Sequence, residues 1–368
     1  MIKIVFDIDD TISVHENRDY RNAIPKLDVI EKLNYLHDVL EYEIELFTAR
    51  GMISCNGDIE KIVEKNKAVL EEWLYKHNVH YDILTFGKPI ADMYIDDKCM
   101  SVNEFLNQEF CLLKGGSGKP VNKIGNIVKK QATLEKIELT KRWSKEAAAY
   151  CNTPHIISSV YDTLYMDYID GISLCHLKSF DELLPAVLEL FNTINKFKDI
   201  KQDSFDIRKL VMALQKHKSD NEYINSRIYK CINLLYDNEK LLEANATFCH
   251  GDLTLSNVIQ HFDTMQLYYI DPEMDKQASS YLLDYAKLRM SLMGYERNFD
   301  LTTSRADLKT LKKMLDANLR LDGIYDIVVI LNYMWVLRLW NYKQGIGKDI
   351  VIQMIKELEE ENESIFKA

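Results

Sequence analysis

The spacing of apolar and polar residues changes along the chain, and each change predicts a different element. Ile2, Ile4, Val5 and Phe6 form a short run that gives way to Asp7, Asp9 and Asp10, the pattern of a buried strand ending in a carboxylate cluster. Three more short runs end in polar residues: 44–47 before Thr48, 81–86 before Lys88, and 91–95 before Asp96 and Asp97. Between the runs, apolar residues recur at helical spacing over 26–40 and 57–77. Alternating strands and helices of this length predict a parallel sheet covered by helices, so residues 1–110 read as one α/β domain. In such sheets chemistry gathers at the carboxyl ends of the strands, where these acids fall.

After Phe105 a short polar segment leads into a second start, Phe110-Cys-Leu-Leu-Lys followed by Gly115-Gly-Ser-Gly118. A strand pair with Gly125-Asn126 at its turn ends in Ile127-Val-Lys129-Lys130. A helix is predicted over 139–150, and helical periodicity runs from 180 to 242. The most apolar long segment, 324–340, is interrupted by Asp326, Asn332 and Arg338, so it predicts a buried helix and not a membrane span.

The 368 residues with 47% hydrophobic content allow two or three domains with real cores. The formal net charge of −11 is local: residues 1–110 carry 12 basic and 22 acidic side chains. Such an acidic surface disfavours phosphate backbones and anionic lipid, so neither nucleic acid nor membrane insertion is expected. The seven cysteines are scattered without a Cys-x-x-Cys pair, the usage of reduced thiols and not of a disulfide framework or zinc site. The opening Met1-Ile-Lys-Ile-Val-Phe-Asp7 reaches a charge too early for a signal peptide, and the cytoplasm is the expected location.

The stretch FCHGDLTLSNVIQHFDTMQLYYIDPE, residues 248–273, holds the chemistry of the larger part. Phosphoryl transfer from ATP needs one carboxylate to receive or orient the acceptor hydroxyl, with an Asn and a second carboxylate to hold magnesium. Asp252, Asn257 and Asp271 have that spacing. The wording His250-Gly-Asp and Asp271-Pro-Glu resembles the aminoglycoside phosphotransferase and choline kinase superfamily more than protein kinases. That resemblance implies a two-lobed, protein-kinase-like α+β domain, with a small lobe over 111–170 and a large lobe over 171–368. It also implies Mg2+, ATP as donor and a small-molecule alcohol as acceptor.

Within it, Gly116 and Ser117 stand where a glycine-rich turn approaches the nucleotide phosphates. A P-loop is excluded, because Pro120 follows Gly118-Lys119 where Ser or Thr is required. Lys129 is the expected phosphate-contacting lysine, with Lys130 on the opposite strand face as its rival. Glu146 is the expected partner of that lysine, with Glu135 and Glu138 as alternatives. Asp167 and Ile169 fall in the segment that resembles the adenine-binding hinge, and Asp284 matches a position that braces the catalytic loop. Trp335 and Tyr342, and likewise Tyr333 and Trp340, are seven apart and share a helical face. Such a stripe is either core or an aromatic box for a cationic head group.

In the first domain, Asp7 could attack a phosphoryl group to form an aspartyl-phosphate, and Asp9 could protonate the leaving oxygen and then activate water. Thr48 and Lys88 would hold phosphoryl oxygens, while Asp7, Asp9 and Asp96 form the expected magnesium-binding set. Asp-x-Asp-x-Thr, then LFTARG, FGKP and YIDDK, resembles the haloacid dehalogenase superfamily of phosphatases. The wording is similar to its small members associated with capsule or surface-polysaccharide synthesis. The resemblance implies a Rossmann-like sheet without a large cap. The polar loop 13–23, with His15, Arg18, Tyr20 and Arg21, is either a substrate-contacting segment or a solvated flap.

The two readings together predict a bifunctional phosphatase and kinase acting on different positions or successive steps of a polysaccharide precursor. One alternative is a catalytically silent domain that binds or regulates. The other is an aminoglycoside-type resistance phosphotransferase.

Overall fold

The computed structural model describes residues 2–15, 19–89, 100–113, 121–219, 221–274, 277–302, 304 and 306–367. The chain divides into two compact units, Met1–Gln131 and Ala132–Ala368.

The first unit opens with β1 (Lys3–Asp7), a short ladder of β2 (Ser13–Val14) with β3 (Ile24–Pro25), helix α1 (Leu27–Asp38) and β4 (Glu43–Thr48). Helix α2 (Ile59–Lys76) and β5 (Ile83–Phe86) follow. Strands β1, β4 and β5 form a parallel sheet in that order, with Asp7 opposite Phe47 and Thr48 opposite Phe86. The parallel sheet expected from the alternating pattern is thus present, while the run 91–95 lies outside the described residues. Helix α1 buries Val29, Ile30, Leu33 and Leu36, and α2 buries Ile62, Leu70, Trp73 and Leu74. These are the i, i+3, i+4 stripes that drive amphipathic helices onto a sheet. Asp58 caps α2 by accepting from the Lys61 amide. Trp73 Nε1 donates to the Ala23 carbonyl at 2.8 Å, tying α2 to the β2–β3 hairpin. Helix α3 (Val102–Asn107), started by a Ser101–Glu104 capping box, leads into an antiparallel meander of β6 (Phe110–Leu113), β7 (Val121–Ile124) and β8 (Ile127–Gln131). The expected two-residue turn at Gly125-Asn126 joins β7 and β8, with Gly125 at φ 57°.

The second unit starts with α4 (Leu134–Ala147). It begins five residues before the expected 139, because Thr133 caps it by accepting from the Lys136 amide. A hairpin of β9 (Ile156–Val160) and β10 (Thr163–Asp167) follows. Next comes β11 (Gly171–Ser173), which pairs antiparallel with β12 (Val258–His261), itself paired with β13 (Leu267–Tyr269). Between β11 and β12 run α5 (Phe180–Lys198), α6 (Ile207–Gln215), α7 (Glu222–Asp237) and α8 (Glu239–Ala244). After β13 come α9 (Tyr281–Leu292), α10 (Tyr295–Asn298), α11 (Leu308–Leu321), α12 (Tyr325–Arg338), α13 (Ile346–Glu361) and α14 (Glu363–Phe366).

Helices α9 and α12 pack together at the centre of the core, and nearly every residue of both is buried. That is why 324–340 reads as uniformly apolar instead of striped. The polar residue Asn332 accepts from Arg289 Nη1 at 2.8 Å, and the fully buried Arg289 reaches Asp316 at 2.8 Å, pinning α9, α12 and α11 to one another. Among the described residues no helix is long and apolar enough to cross a membrane.

Candidate active sites

In the second unit, the segment between α8 and β12 carries His250, Asp252 and Asn257. Its backbone is held from below by α9: both oxygens of Asp284 accept at 2.7 Å, one from the His250 amide and one from the Gly251 amide. Gly251 sits at φ +82°, and a Cβ there would stand 2.6 Å from the Glu273 carbonyl carbon and oxygen, so the bend requires glycine. Helix α4 adds a further tie, Trp143 Nε1 donating to the Cys249 carbonyl at 2.9 Å.

His250 is fully buried, and burial pushes its imidazole down to about 4. The neutral ring bridges the loop: Nε2 donates to the Ile270 carbonyl at 2.9 Å, and Nδ1 faces the Asp252 amide at 3.3 Å. Burial pushes Asp284 up to about 7, against the pull of its two amide donors.

These ties gather the three expected phosphoryl-transfer residues. Asn257 Nδ2 donates to the Asp252 carbonyl and to Asp252 Oδ2, both at 2.9 Å, which leaves the amide oxygen of Asn257 to face a hard cation. Asp271, at φ 60°, is flanked on both sides by bonds to the same loop: Ile270 donates to the Asn257 carbonyl at 3.0 Å and Glu273 to the His250 carbonyl at 2.7 Å. The donor set, an amide oxygen and carboxylates, suits magnesium. Helix α4 contributes Lys136, whose Nζ donates to the Pro272 carbonyl at 2.6 Å and to Glu273.

Sequence reasoning missed Lys287. Its Nζ lies 2.8 Å from Asp252 Oδ1 and 4.0 Å from the Trp335 ring centroid. Burial is the largest single influence on the Asp252 carboxyl and works to raise it, but the charge and hydrogen bond of Lys287, together with His250 and Lys136, hold the group below its ordinary range. The available signal was its place one turn after Asp284 on α9.

The aromatic pairs separate. Tyr333 is fully buried, its hydroxyl donating to Glu359 at 2.6 Å, and Trp340 is buried with Nε1 donating to Ser219 at 3.0 Å. Trp335 instead faces Lys287 and Arg338, and Tyr342 lies beyond the end of α12, 69% exposed.

Of the other expected nucleotide contacts, Lys129 is the third residue of β8 in the first unit, and Glu146 is the penultimate residue of α4. Asp167 ends β10 with its amide donating to the His155 carbonyl at 2.9 Å, and Ile169 lies in the link to β11. Gly116 and Ser117 lie outside the described residues.

In the first unit, Asp7 and Thr48 end adjacent parallel strands, and Lys88 follows the third. Lys88 Nζ lies 2.9 Å from Asp7 Oδ2, and the amides of Gly87 and Lys88 donate to the Thr48 carbonyl at 3.2 and 3.1 Å. Thr48 Oγ1 donates to Asp9 Oδ2 at 3.3 Å, so contacts run from Asp7 through Lys88 and Thr48 to Asp9. Asp96 lies outside the described residues.

The side chain that motif reading overlooked is Arg50, two positions after Thr48. It is buried, and its Nε reaches both Asp9 oxygens at 2.9 and 3.1 Å while Nη2 lies 2.8 Å from Oδ1. This fork holds the Asp9 carboxylate in one orientation. The loop 13–23 reaches the same pair: the Tyr20 ring lies 4.4 Å from the Arg50 guanidinium, and His15 Nε2 lies 3.8 Å from Asp9 Oδ1.

No family model and no curated protein matches the chain. Among solved structures it is similar to an MCSG target from Vibrio cholerae, with 39% identity over 30% of this chain and 90% of that one, at a TM-score of 0.29. It is similar to a choline/ethanolamine kinase family protein from Mesorhizobium loti, with 13% identity over 68% of this chain and 88% of that one, at 0.45. It is also similar to an ethanolamine kinase from Plasmodium vivax, with 15% identity over 82% of this chain and 92% of that one, at 0.45. Every one of these TM-scores is below 0.5, so the reading of both sites rests on their own residues.

Proposed function

We propose that the second unit is an ATP-dependent kinase for a small-molecule alcohol. The observation that carries this reading is the pinned set of Asp252, Asn257 and Asp271 on one buried scaffold. Magnesium-bound ATP supplies the phosphoryl group when bound, with Asn257 and Asp271 as the ligands from this chain. Asp252 orients the acceptor hydroxyl and takes its proton as the oxygen bonds to the γ-phosphorus and ADP leaves. Asn257 fixes one Asp252 oxygen, so only the oxygen shared with Lys287 faces the acceptor. An ADP-release assay across alcohols with magnesium tests the reading: Asp252→Asn should cost at least about 100-fold in rate. Full activity in that variant would refute it.

For the first unit we propose a phosphomonoesterase, supported by the chain of contacts from Asp7 through Lys88 and Thr48 to Asp9. Asp7 Oδ1 attacks phosphorus while Lys88 holds Oδ2. The ester P–O bond breaks, Asp9 gives its proton to the departing alkoxide, and water then cleaves the aspartyl-phosphate as Asp9 takes the proton back. Asp7, Asp9 and Asp96 are the proposed magnesium ligands. Magnesium-dependent hydrolysis of p-nitrophenyl phosphate should vanish in Asp7→Asn, and activity that survives the substitution would exclude an aspartyl-phosphate.

A further inference from the structure

Around the Trp335 ring stand three donors, of which Lys287 also reaches Asp252. Lys287 ion-pairs with Asp252 and lies against the Trp335 ring, and the guanidinium carbon of Arg338 lies 4.3 Å from the same ring centroid. Arg338 Nε and Trp335 Nε1 are both buried and have no hydrogen-bond acceptor among the described residues. Buried donors without acceptors are rare, because each forfeits its hydration for nothing in return. Burial lowers Arg338 from its ordinary range, while Tyr342, Asp252 and Glu273 act in the opposite sense, which places the guanidinium within electrostatic reach of the proposed base.

A quaternary ammonium seeks an aromatic face without competing cations. Here the Trp335 ring already carries two from the chain itself, and a cationic head group would meet both at short range, with a like-charge penalty.

We propose that the acceptor of the second unit is an alcohol bearing an anionic group, a phosphate or a carboxylate, bound by Arg338, Trp335 Nε1 and Lys287 next to Asp252. This deepens the kinase reading and rests on it for the transfer step. The bound anion supplies the acceptor oxygens that Arg338 Nε and Trp335 Nε1 lack. It also draws Lys287 off Asp252 Oδ1, freeing that oxygen for the hydroxyl. A planar guanidinium suits either anion, since both present paired oxygens to its fork.

The test has a binding arm and a turnover arm, both on the full chain. Calorimetric titration of glycerol 3-phosphate and of glycerate, without nucleotide, should show binding of at least one, weakened at least about 10-fold by Arg338→Gln and by Lys287→Met. The two ligands distinguish phosphate from carboxylate. With ATP and magnesium, ADP release should favour these over glycerol, and glycerol over choline and ethanolamine. Trp335→Phe, which keeps the ring and removes the N–H, should raise KM for the anionic alcohol more than it lowers kcat. The proposal is overturned if neither anion binds, if binding is unchanged in both charge variants, or if choline or ethanolamine is the preferred acceptor. Anion binding that responds to the variants, with no ADP release from any alcohol, would retain the anion site and overturn the kinase reading.

Discussion

Replacing Gly251 by Ala tests whether the bend before Asp252 is as tightly determined as the structure implies. Two costs combine. An L-residue held at φ +82° is disfavoured by about 1–2 kcal/mol. The new Cβ would also meet the Glu273 carbonyl at 2.6 Å, where ordinary contact begins at 3.4 Å, and the obstacle is backbone that cannot rotate away. Relief requires the Asp271–Glu273 segment to retreat, which strains the 2.7 Å bond from the Glu273 amide to the His250 carbonyl, worth about 0.5–1.5 kcal/mol.

The expected loss is therefore roughly 1.5–3.5 kcal/mol. Gly323→Ala is the control: Gly323 has φ +66° and nothing within 4 Å of an added Cβ, so only the backbone cost of about 1–2 kcal/mol applies. Urea unfolding followed by tryptophan fluorescence reports mainly on the second unit, which holds Trp143, Trp335 and Trp340. A Gly251→Ala variant no less stable than Gly323→Ala would refute the close approach of the two segments.

Three further outcomes are expected. His250 has its folded value near 4, below about 6.5 in the unfolded chain, so the unfolded state binds its proton first and this stability falls as pH drops from 6.5 toward 4. Asp284, raised to about 7, acts oppositely over the same window, so the His250 contribution is read as a difference: the stability gap between wild type and His250→Gln should narrow by about 2 kcal/mol between pH 7 and pH 5. A gap independent of pH would contradict a buried neutral imidazole. Asp316→Ala removes the carboxylate hydrogen-bonded to the fully buried Arg289, leaving Glu361 at 3.8 Å, and should cost about 3–5 kcal/mol in chemical unfolding, against under 1 kcal/mol if the pair is dispensable. Arg50→Lys keeps the charge but loses the fork on Asp9, and p-nitrophenyl phosphate turnover should fall about 10- to 100-fold with unfolding unchanged. An unaltered rate would mean Arg50 does not position Asp9.

The parts of both sites that could be read from sequence are those whose spacing is set by the covalent chain. A short apolar run ending in Asp7 or Thr48 announces a strand end, and parallel register then places neighbouring strand ends together without further information. The five positions from Asp252 to Asn257 likewise span one turn, which closes through the Asn257 amide. What stayed hidden is chosen by packing between segments remote in sequence. Lys287 looks like one more polar residue on a helix until Asp284, one turn before it, docks beneath Gly251 and brings α9 to Asp252. Trp335 and Tyr333 have the same local pattern, and only the neighbours of α12 decide that Tyr333 enters the core while Trp335 meets two cations. Periodicity identifies a shared face but carries no information on the charge of what lies opposite. An aromatic stripe that would fit a cation by composition is instead met at Trp335 by two cations of the chain itself, Lys287 on a different helix and Arg338 three positions along the same one.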